Sequence, residues 1–235
     1  MFKAQTVFNR IKPYGLSEIN YGHRLTRGLR HCFLFNEKSG KGGWIDLATK
    51  RKFFQSTYVN NSTSYGMFVG SFANRLVIPT TYNVTTVDGP ITISLECTPA
   101  GAPFESQPLY AGYNVGSGSG AFYIRLNTNG TLEFLSSNVV SIYTVASRTG
   151  FAHFRTIRVT FTLGRGGKCT FYDFDTELPS GSNSDTFTND VPVIGAETDS
   201  DNEGKAWFNY FYIWDRALTS AEAREVGRNP YAMIY

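Results

Sequence analysis

Phe208-Asn209-Tyr210-Phe211-Tyr212-Ile213-Trp214-Asp215-Arg216-Ala217-Leu218-Thr219-Ser220-Ala221-Glu222 is the stretch that decides the fold of this 235-residue chain. It reads as a strand, a sharp corner and a short capped helix. Period-two alternation places Phe208, Tyr210, Tyr212 and Trp214 on one face and Asn209, Phe211 and Ile213 on the other. Apolar residues on both faces predict a central strand covered above and below. Thr219 is placed to cap the helix, and Glu222, three residues on, to reach back to the Thr219 N–H in a capping box. Gly227 stands where such a helix ends, and Pro230 stops any continuation. A helix of about two turns has little stability of its own, so the sheet beside it must hold it.

Outward from that stretch, the chain has the composition of strands and turns. Aromatic residues make up 15% and charged residues only 17%, with frequent glycines and short polar clusters. Residues 91–97 alternate cleanly and end near Pro99. Asn129-Gly130 separates two alternating runs, a strong hairpin signal. Residues 154–163 and 168–174 flank Gly164-Arg165-Gly166-Gly167 as a second hairpin. About eleven to thirteen short strands and one helix are expected. The economical architecture is a two-sheet antiparallel jelly-roll sandwich, all-β, with one short C-terminal helix.

Charge is uneven. Residues 1–30 hold six bases (Lys3, Arg10, Lys12, Arg24, Arg27, Arg30) and one acid, Glu18. Of the formal net charge of +3, the rest of the chain therefore carries −2. Residues 1–28 show no sustained period and contain Pro13, Gly15, Gly22 and Gly28. They read as an extended basic arm ahead of a domain over 29–235. A basic arm suits an acidic protein surface or nucleic acid. These bases are spread out, which favours protein docking over nucleic acid.

Cys32, Cys97 and Cys169 are an odd count, each inside a strand-like run, and read as buried thiols rather than a disulfide frame or zinc site. No apolar run follows Met1-Phe2-Lys3 as in a signal peptide. No stretch approaches the ~18–20 apolar residues of a membrane span.

The order of elements resembles the laminin-G-like, concanavalin A-like jelly roll. Residues 28–40 with Asp46-Leu47 are similar to that family's opening strand and loop. Residues 91–95 resemble a central strand of it, and residues 156–161 with Phe171-Tyr172-Asp173 resemble one of its hairpins. Ile194-Gly195-Ala196 followed by Ile213-Trp214-Asp215-Arg216-Ala217-Leu218 and Glu222 resembles its ending, the most specific piece. The flanks narrow the likeness. Residues 12–29, with Ile19-Asn20-Tyr21-Gly22-His23-Arg24-Leu25-Thr26-Arg27-Gly28-Leu29, resemble the leader of tailed-phage and prophage members, although Arg24 stands where those carry proline. Asn229-Pro230-Tyr231 resembles their tail.

The resemblance implies a non-enzymatic virion protein, assembled in the host cytoplasm. The leading expectation is a capsid decoration or cement protein. It would attach to the major capsid protein or another virion protein through Lys3, Arg10, Lys12, Arg24, Arg27 and Arg30, as a homo-oligomer. The alternative is a lectin-like glycan-binding module on a tail or fibre, with Trp44, Tyr113 and Tyr143 as candidate platforms.

Signals for chemistry are weaker. Related folds include glycanases with paired carboxylates on one strand face. Asp173, Asp175 and Glu177 have that spacing, but the run ends in Leu178-Pro179, and a hairpin corner is the expected reading. His23, His31 and His153 show no ligand spacing. Gly164-Arg165-Gly166-Gly167-Lys168 is similar to a phosphate loop but lacks the Walker spacing and a following helix. No cofactor is expected. Asp199, Asp201 and Glu203 alternate in a loop and form a weak calcium candidate.

Overall fold

The structure is a computed structural model. It describes residues 17–35, 43–54, 62–63, 66–69, 76–78, 90–100, 107–113, 121–127, 130–138, 141–148, 156–164, 168–178, 181–182, 191–195 and 205–235. The strands are β1 (Leu29–Phe33), β2 (Trp44–Asp46), β3 (Arg51–Phe53), β4 (Ser62–Thr63), β5 (Gly66–Val69), β6 (Leu76–Val77), β7 (Ile91–Pro99), β8 (Gln107–Tyr113) and β9 (Ala121–Leu126). They continue with β10 (Leu132–Asn138), β11 (Ser141–Arg148), β12 (Ile157–Leu163), β13 (Lys168–Asp173), β14 (Thr176–Glu177), β15 (Gly181–Ser182), β16 (Val191–Ile194) and β17 (Ala206–Trp214). One helix, α1, spans Ser220–Arg228. Strands exceed the expected number because β4, β6, β14 and β15 are two-residue ladders, too short to leave a periodic signal in sequence.

The strands form two antiparallel sheets. The larger has eleven strands along the path β14-β13-β12-β7-β17-β1-β2-β3, with β15 on β13 and β5 on β17. The smaller runs β11-β10-β9-β8-β16-β6. The chain is thus a two-sheet all-β sandwich with one short C-terminal helix. Residues buried between the sheets include Phe33, Ile93, Leu95, Phe161, Phe171, Phe211 and Ile213 from the larger sheet, facing Leu76, Leu109, Ile124, Leu126, Leu132 and Ile194 from the smaller.

β17 sits at the centre of the larger sheet, between β7 and β1, and both of its faces are buried. A second apolar layer lies on the sheet's outer side. There Tyr210, Tyr212 and Trp214 pack with Ile19, Leu25, Cys32, Leu34, Tyr172, Ala223, Val226, Tyr231 and Met233. Tyr210 and Tyr212 stack with ring centroids 4.5 Å apart, and Trp214 meets Tyr212 edge-on at 5.8 Å.

The expected alternation along β17 fails at one point. Phe208 belongs to the inter-sheet core with Phe211 and Ile213, not to the face of Tyr210. The register against β7 shifts between Phe208 and Tyr210, so Asn209 is an extra residue that flips the phase of everything before it. The Asn209 amide instead donates to Glu96 Oε1 at 2.8 Å.

The helix start is as read from sequence. Glu222 N donates to Thr219 Oγ1 at 3.3 Å, and Thr219 N donates to Glu222 Oε2 at 2.9 Å. The helix end is not. Gly227 lies inside α1, and Asn229 is the C-cap. The glycine is there because a Cβ at position 227 would stand 1.8 Å from the Phe174 carbonyl oxygen. The helix backbone presses against the turn between β13 and β14.

Candidate functional site

Residues 17–28, read in sequence as part of an extended basic arm that either awaits a partner or lies over the body, form a clasp with the chain's other end. Ile19 bridges Ile234, Asn20 N donates to the Met233 carbonyl at 2.9 Å, and Tyr235 N donates to the Glu18 carbonyl at 2.9 Å. His23 caps a 3-10 turn over Arg24–Thr26 by accepting from Leu25 N. That turn drives the Leu25 side chain into the outer layer, where it is fully buried. Trp214 Nε1 donates to the Leu25 carbonyl at 2.6 Å.

Two of the six bases assigned to docking, Arg24 and Arg30, are paired with acids of the domain. Arg24 pairs with Glu225, which His23 also contacts, and Arg30 pairs with Asp215. Arg27 is exposed, and its carbonyl accepts from Arg216 Nε at 2.7 Å. Arg216 also grips both oxygens of Glu222 at 2.8 Å. Partial burial works against the Glu222 charge, but Arg216 and the Thr219 cap prevail and lower its pKa to about 2. Asp215 and Arg216 are therefore corner residues, each tied to a different neighbouring element. Lys3, Arg10 and Lys12 lie outside the described residues.

Beneath α1 is a buried polar cluster. Arg158 pairs with Glu96 and donates through Nη1 to the Gly227 carbonyl at 2.8 Å, at the negative end of the helix. Desolvation opposes the Arg158 charge, but the Glu96 carboxylate, by its charge and its hydrogen bond, holds the pKa above the ordinary value. Burial pushes Tyr210 well upward, so it stays neutral; its hydroxyl lies 3.2 Å from Ser94 Oγ. A second buried cluster joins Asp46 to His31 Nδ1 at 2.8 Å, to the N–H groups of Cys32 and Ala48, and to Thr49 Oγ1. Every one of these contacts ties elements of the fold together.

The Asp173, Asp175, Glu177 alignment does not form, because Phe174 adopts a positive φ of 52° and turns the chain. Asp175 pairs with Arg228 and Glu177 with Arg224, both on α1. The Arg228 hydrogen bond lowers the Asp175 pKa. Cys32, Cys97 and Cys169 are buried free thiols; burial pushes Cys169 up to about 12 and Cys97 higher still.

Of the proposed glycan platforms, Trp44 is not at the surface. Trp44 is 2% exposed and meets Phe35 edge-on at 5.3 Å in the inter-sheet core. It is a core residue, because β2 points it between the sheets. Tyr113 lies opposite Val191 in β16, and Tyr143 opposite Ser136 in β10. Their strands, β8 and β11, are three strand spacings apart, about 14 Å. Asp199, Asp201 and Glu203 lie outside the described residues. Among the described residues no group of three or more His, Cys, Asp or Glu could hold a metal ion, and no helix is long and apolar enough to cross a membrane.

A different platform exists on the β2–β3 hairpin. Phe53 points into the core and is 5% exposed, while Phe54 is 52% exposed. The Phe54 ring packs where a side chain at position 43 would be. A Cβ on Gly43 would stand 2.9 Å from Phe54 Cδ1 and 3.0 Å from Cε1. Gly43 also has a φ of +68°, which a side chain would strain. Lys50, Arg51 and Lys52 precede it, all exposed. Lys52 lies opposite Ile45, whose side chain borders the outer layer. Strand alternation sets Lys52 about 6.8 Å from Phe54 on that side. In sequence, Phe53-Phe54 reads only as a weak strand, because the proximity of Phe54 to Gly43 is a contact between residues eleven apart with no local signal.

No protein-family model and no curated protein matches the sequence. Solved structures do. The receptor-binding domain of botulinum neurotoxin D superposes with a TM-score of 0.67 at 13% identity, over 86% of this chain and 53% of that one. The binding domain of botulinum neurotoxin DC in complex with SialylT gives 0.63 at 12% identity, over 86% and 52%. Trypanosoma rangeli sialidase gives 0.66 at 16% identity, over 88% and 34%. The chain thus spans about half the length of the toxin structures and a third of the sialidase. At these identities the likeness is one of fold: a β-sandwich.

Proposed function

We propose that the chain is a non-catalytic glycan-recognition module. The observation that carries this reading is the Phe54 ring, held over Gly43 and half exposed beside Lys52. Sugar recognition needs a rigid apolar face for the C–H side of a pyranose and polar groups beside it for the hydroxyls. The hairpin supplies both on a sheet edge. The names of the similar structures support the reading, since two are receptor-binding or binding domains and one is a complex with SialylT. The carboxylates spaced like a glycanase pair are instead bound to arginines of α1. The test is a glycan array followed by calorimetry on wild type and Phe54→Ala. Binding lost in the variant, at unchanged melting temperature, is the expected result. A wild-type protein that binds no glycan overturns the reading.

One observation favours a second role, attachment to a phage particle. The leader that resembles phage members meets residues 233–235 through Glu18, Ile19 and Asn20, directly after the 229–231 segment that resembles their tail, and Tyr231 packs in the same layer as Ile19 and Leu25. In this reading residues 1–16, with Lys3, Arg10 and Lys12, engage an acidic face of a capsid or other virion protein. Removing residues 1–16 should abolish attachment to purified particles, and raised salt should weaken it. Attachment that survives the truncation refutes this role.

A further inference from the structure

Four large apolar side chains are exposed among the described residues: Tyr21, Phe54, Phe174 and Tyr235. An isolated exposed ring is ordinary, so its surroundings decide. Phe174 sits beneath the Arg158 guanidinium, 5.1 Å from its centroid, and that cation is spent on Glu96. Tyr21 and Tyr235 lie on the clasp segments, where Arg24 and Arg30 already have acidic partners. Phe54 has two exposed lysines beside it, Lys50 and Lys52. Lys50 and Lys52 have no acidic partner among the described residues. Asp46, the acid closest to them along the hairpin, is fully buried and engaged by four donors.

The backbone adds a second observation. Lys50 holds a positive φ of 58° in the turn joining β2 to β3. A non-glycine residue there costs about 1 kcal/mol relative to glycine, so a lysine keeps its place against a local penalty. Cations on an edge strand also guard against edge-to-edge pairing, but an exposed phenylalanine next to them works the other way. Charge and ring together make sense as one contact surface.

From these observations we infer that the hairpin takes an acidic glycan, with the anionic group of the sugar on Lys50 and Lys52 and its pyranose ring on Phe54. The inference rests on the glycan-recognition reading and narrows it to a substrate class. A single ring matches one sugar residue, and two lysines beside it match a carboxylate or sulfate on that residue or its neighbour. The full chain would be titrated with sialyllactose, sulfated lactose and lactose at low and at raised salt. Both acidic sugars should bind more tightly than lactose, and salt should erase the difference. Preference for sialyllactose identifies a carboxylate as the ligand group; equal binding of the sulfated sugar identifies anionic sugars in general. The double variant Lys50→Glu with Lys52→Glu should weaken acidic sugars about tenfold, the sum of two exposed charge contacts, with its melting temperature unchanged. Phe54→Ala should weaken all three sugars. If lactose binds as well as sialyllactose through Phe54, this inference fails while glycan recognition stands. If no sugar binds, both fail. If single-stranded oligothymidylate binds at the hairpin and displaces the sugars, the anion is a phosphodiester and the inference is overturned.

Discussion

Leu25 and Arg27 are two residues apart in a segment whose composition reads as an extended basic arm, and the structure assigns them opposite fates. Leu25 is fully buried in the outer layer with Trp214, while the Arg27 side chain is exposed. Leu25→Ala removes a buried isobutyl group and leaves the carbonyl that accepts from Trp214 Nε1 in place. A buried Leu→Ala change costs about 2–5 kcal/mol. For a domain of this size each kcal/mol lowers Tm by about 2–4 °C, so a fall of about 4–20 °C is expected. Arg27→Ala should stay within about 0.5 kcal/mol of wild type. Urea unfolding followed by tryptophan fluorescence reads both, because the environment of Trp214 is set by this layer. If Leu25→Ala is as stable as Arg27→Ala, residues 17–28 are not docked on the domain. The same contrast fixes how the N-terminal segment is cut. A truncation at residue 28 removes Ile19 and Leu25 from a core, so any loss of attachment it causes would report unfolding rather than docking.

Three further outcomes follow from the helix and the groups beneath it. Gly→Ala inside a helix ordinarily stabilises by about 1 kcal/mol, but Gly227→Ala should lower Tm, because its Cβ would overlap the Phe174 carbonyl; a higher Tm would contradict the close packing. Arg158→Ala should cost about 3–5 kcal/mol by stranding Glu96, and in a double-mutant cycle Glu96→Gln should cost much less in the Arg158→Ala background than alone; additive costs in urea unfolding would count against the pair. The Glu222 carboxyl is held at about 2 against an ordinary 4.5, so its stabilising contribution is complete above about pH 4.5 and is lost as pH falls toward 2. Glu222→Gln should therefore be less stable than wild type at pH 7, with the two stabilities converging at acid pH; parallel pH profiles would refute the assignment.

The parts of the fold legible in the sequence are those set by local rules. The capping box needs two residue types three apart, and Thr219 and Glu222 satisfy it. Two-sided apolarity marks a central strand, and β17 is one. Cys32 and Leu34 on one face of β1, with Phe33 on the other, follow from period two. What could not be read depends on contacts between distant residues. The phase slip at Asn209 is a bulge, and nothing local in Phe208-Asn209-Tyr210 announces it. Gly227 looks like a helix terminator because termination is the usual local reason for a glycine there, whereas its actual reason is the Phe174 carbonyl fifty-three residues earlier in sequence. The N-terminal half of the clasp has no periodicity to detect, since its buried apolar side chains are Ile19 and Leu25, from a single bridge and a short 3-10 turn.

The candidate site was hidden for a related reason. An aromatic content of 15% invites a search for sugar platforms among tryptophans and tyrosines. In a sandwich with a single core, one face of each sheet would meet water, and a large aromatic side chain on β17 would have an even chance of exposure. Here the clasp and α1 cover the outer face of the larger sheet, so that sheet needs aromatic residues on both sides. Trp44, Tyr210, Tyr212 and Trp214 are absorbed by packing. Abundance of aromatic residues therefore says how much surface the fold must bury, and it carries no information about ligands. The informative residue is one that escapes burial although its immediate neighbour does not, at a position where the opposite strand gives up its side chain to make room. Phe54 next to Phe53 and opposite Gly43 meets that condition, and the lysines beside it, without an acidic partner among the described residues, give the surface a sign.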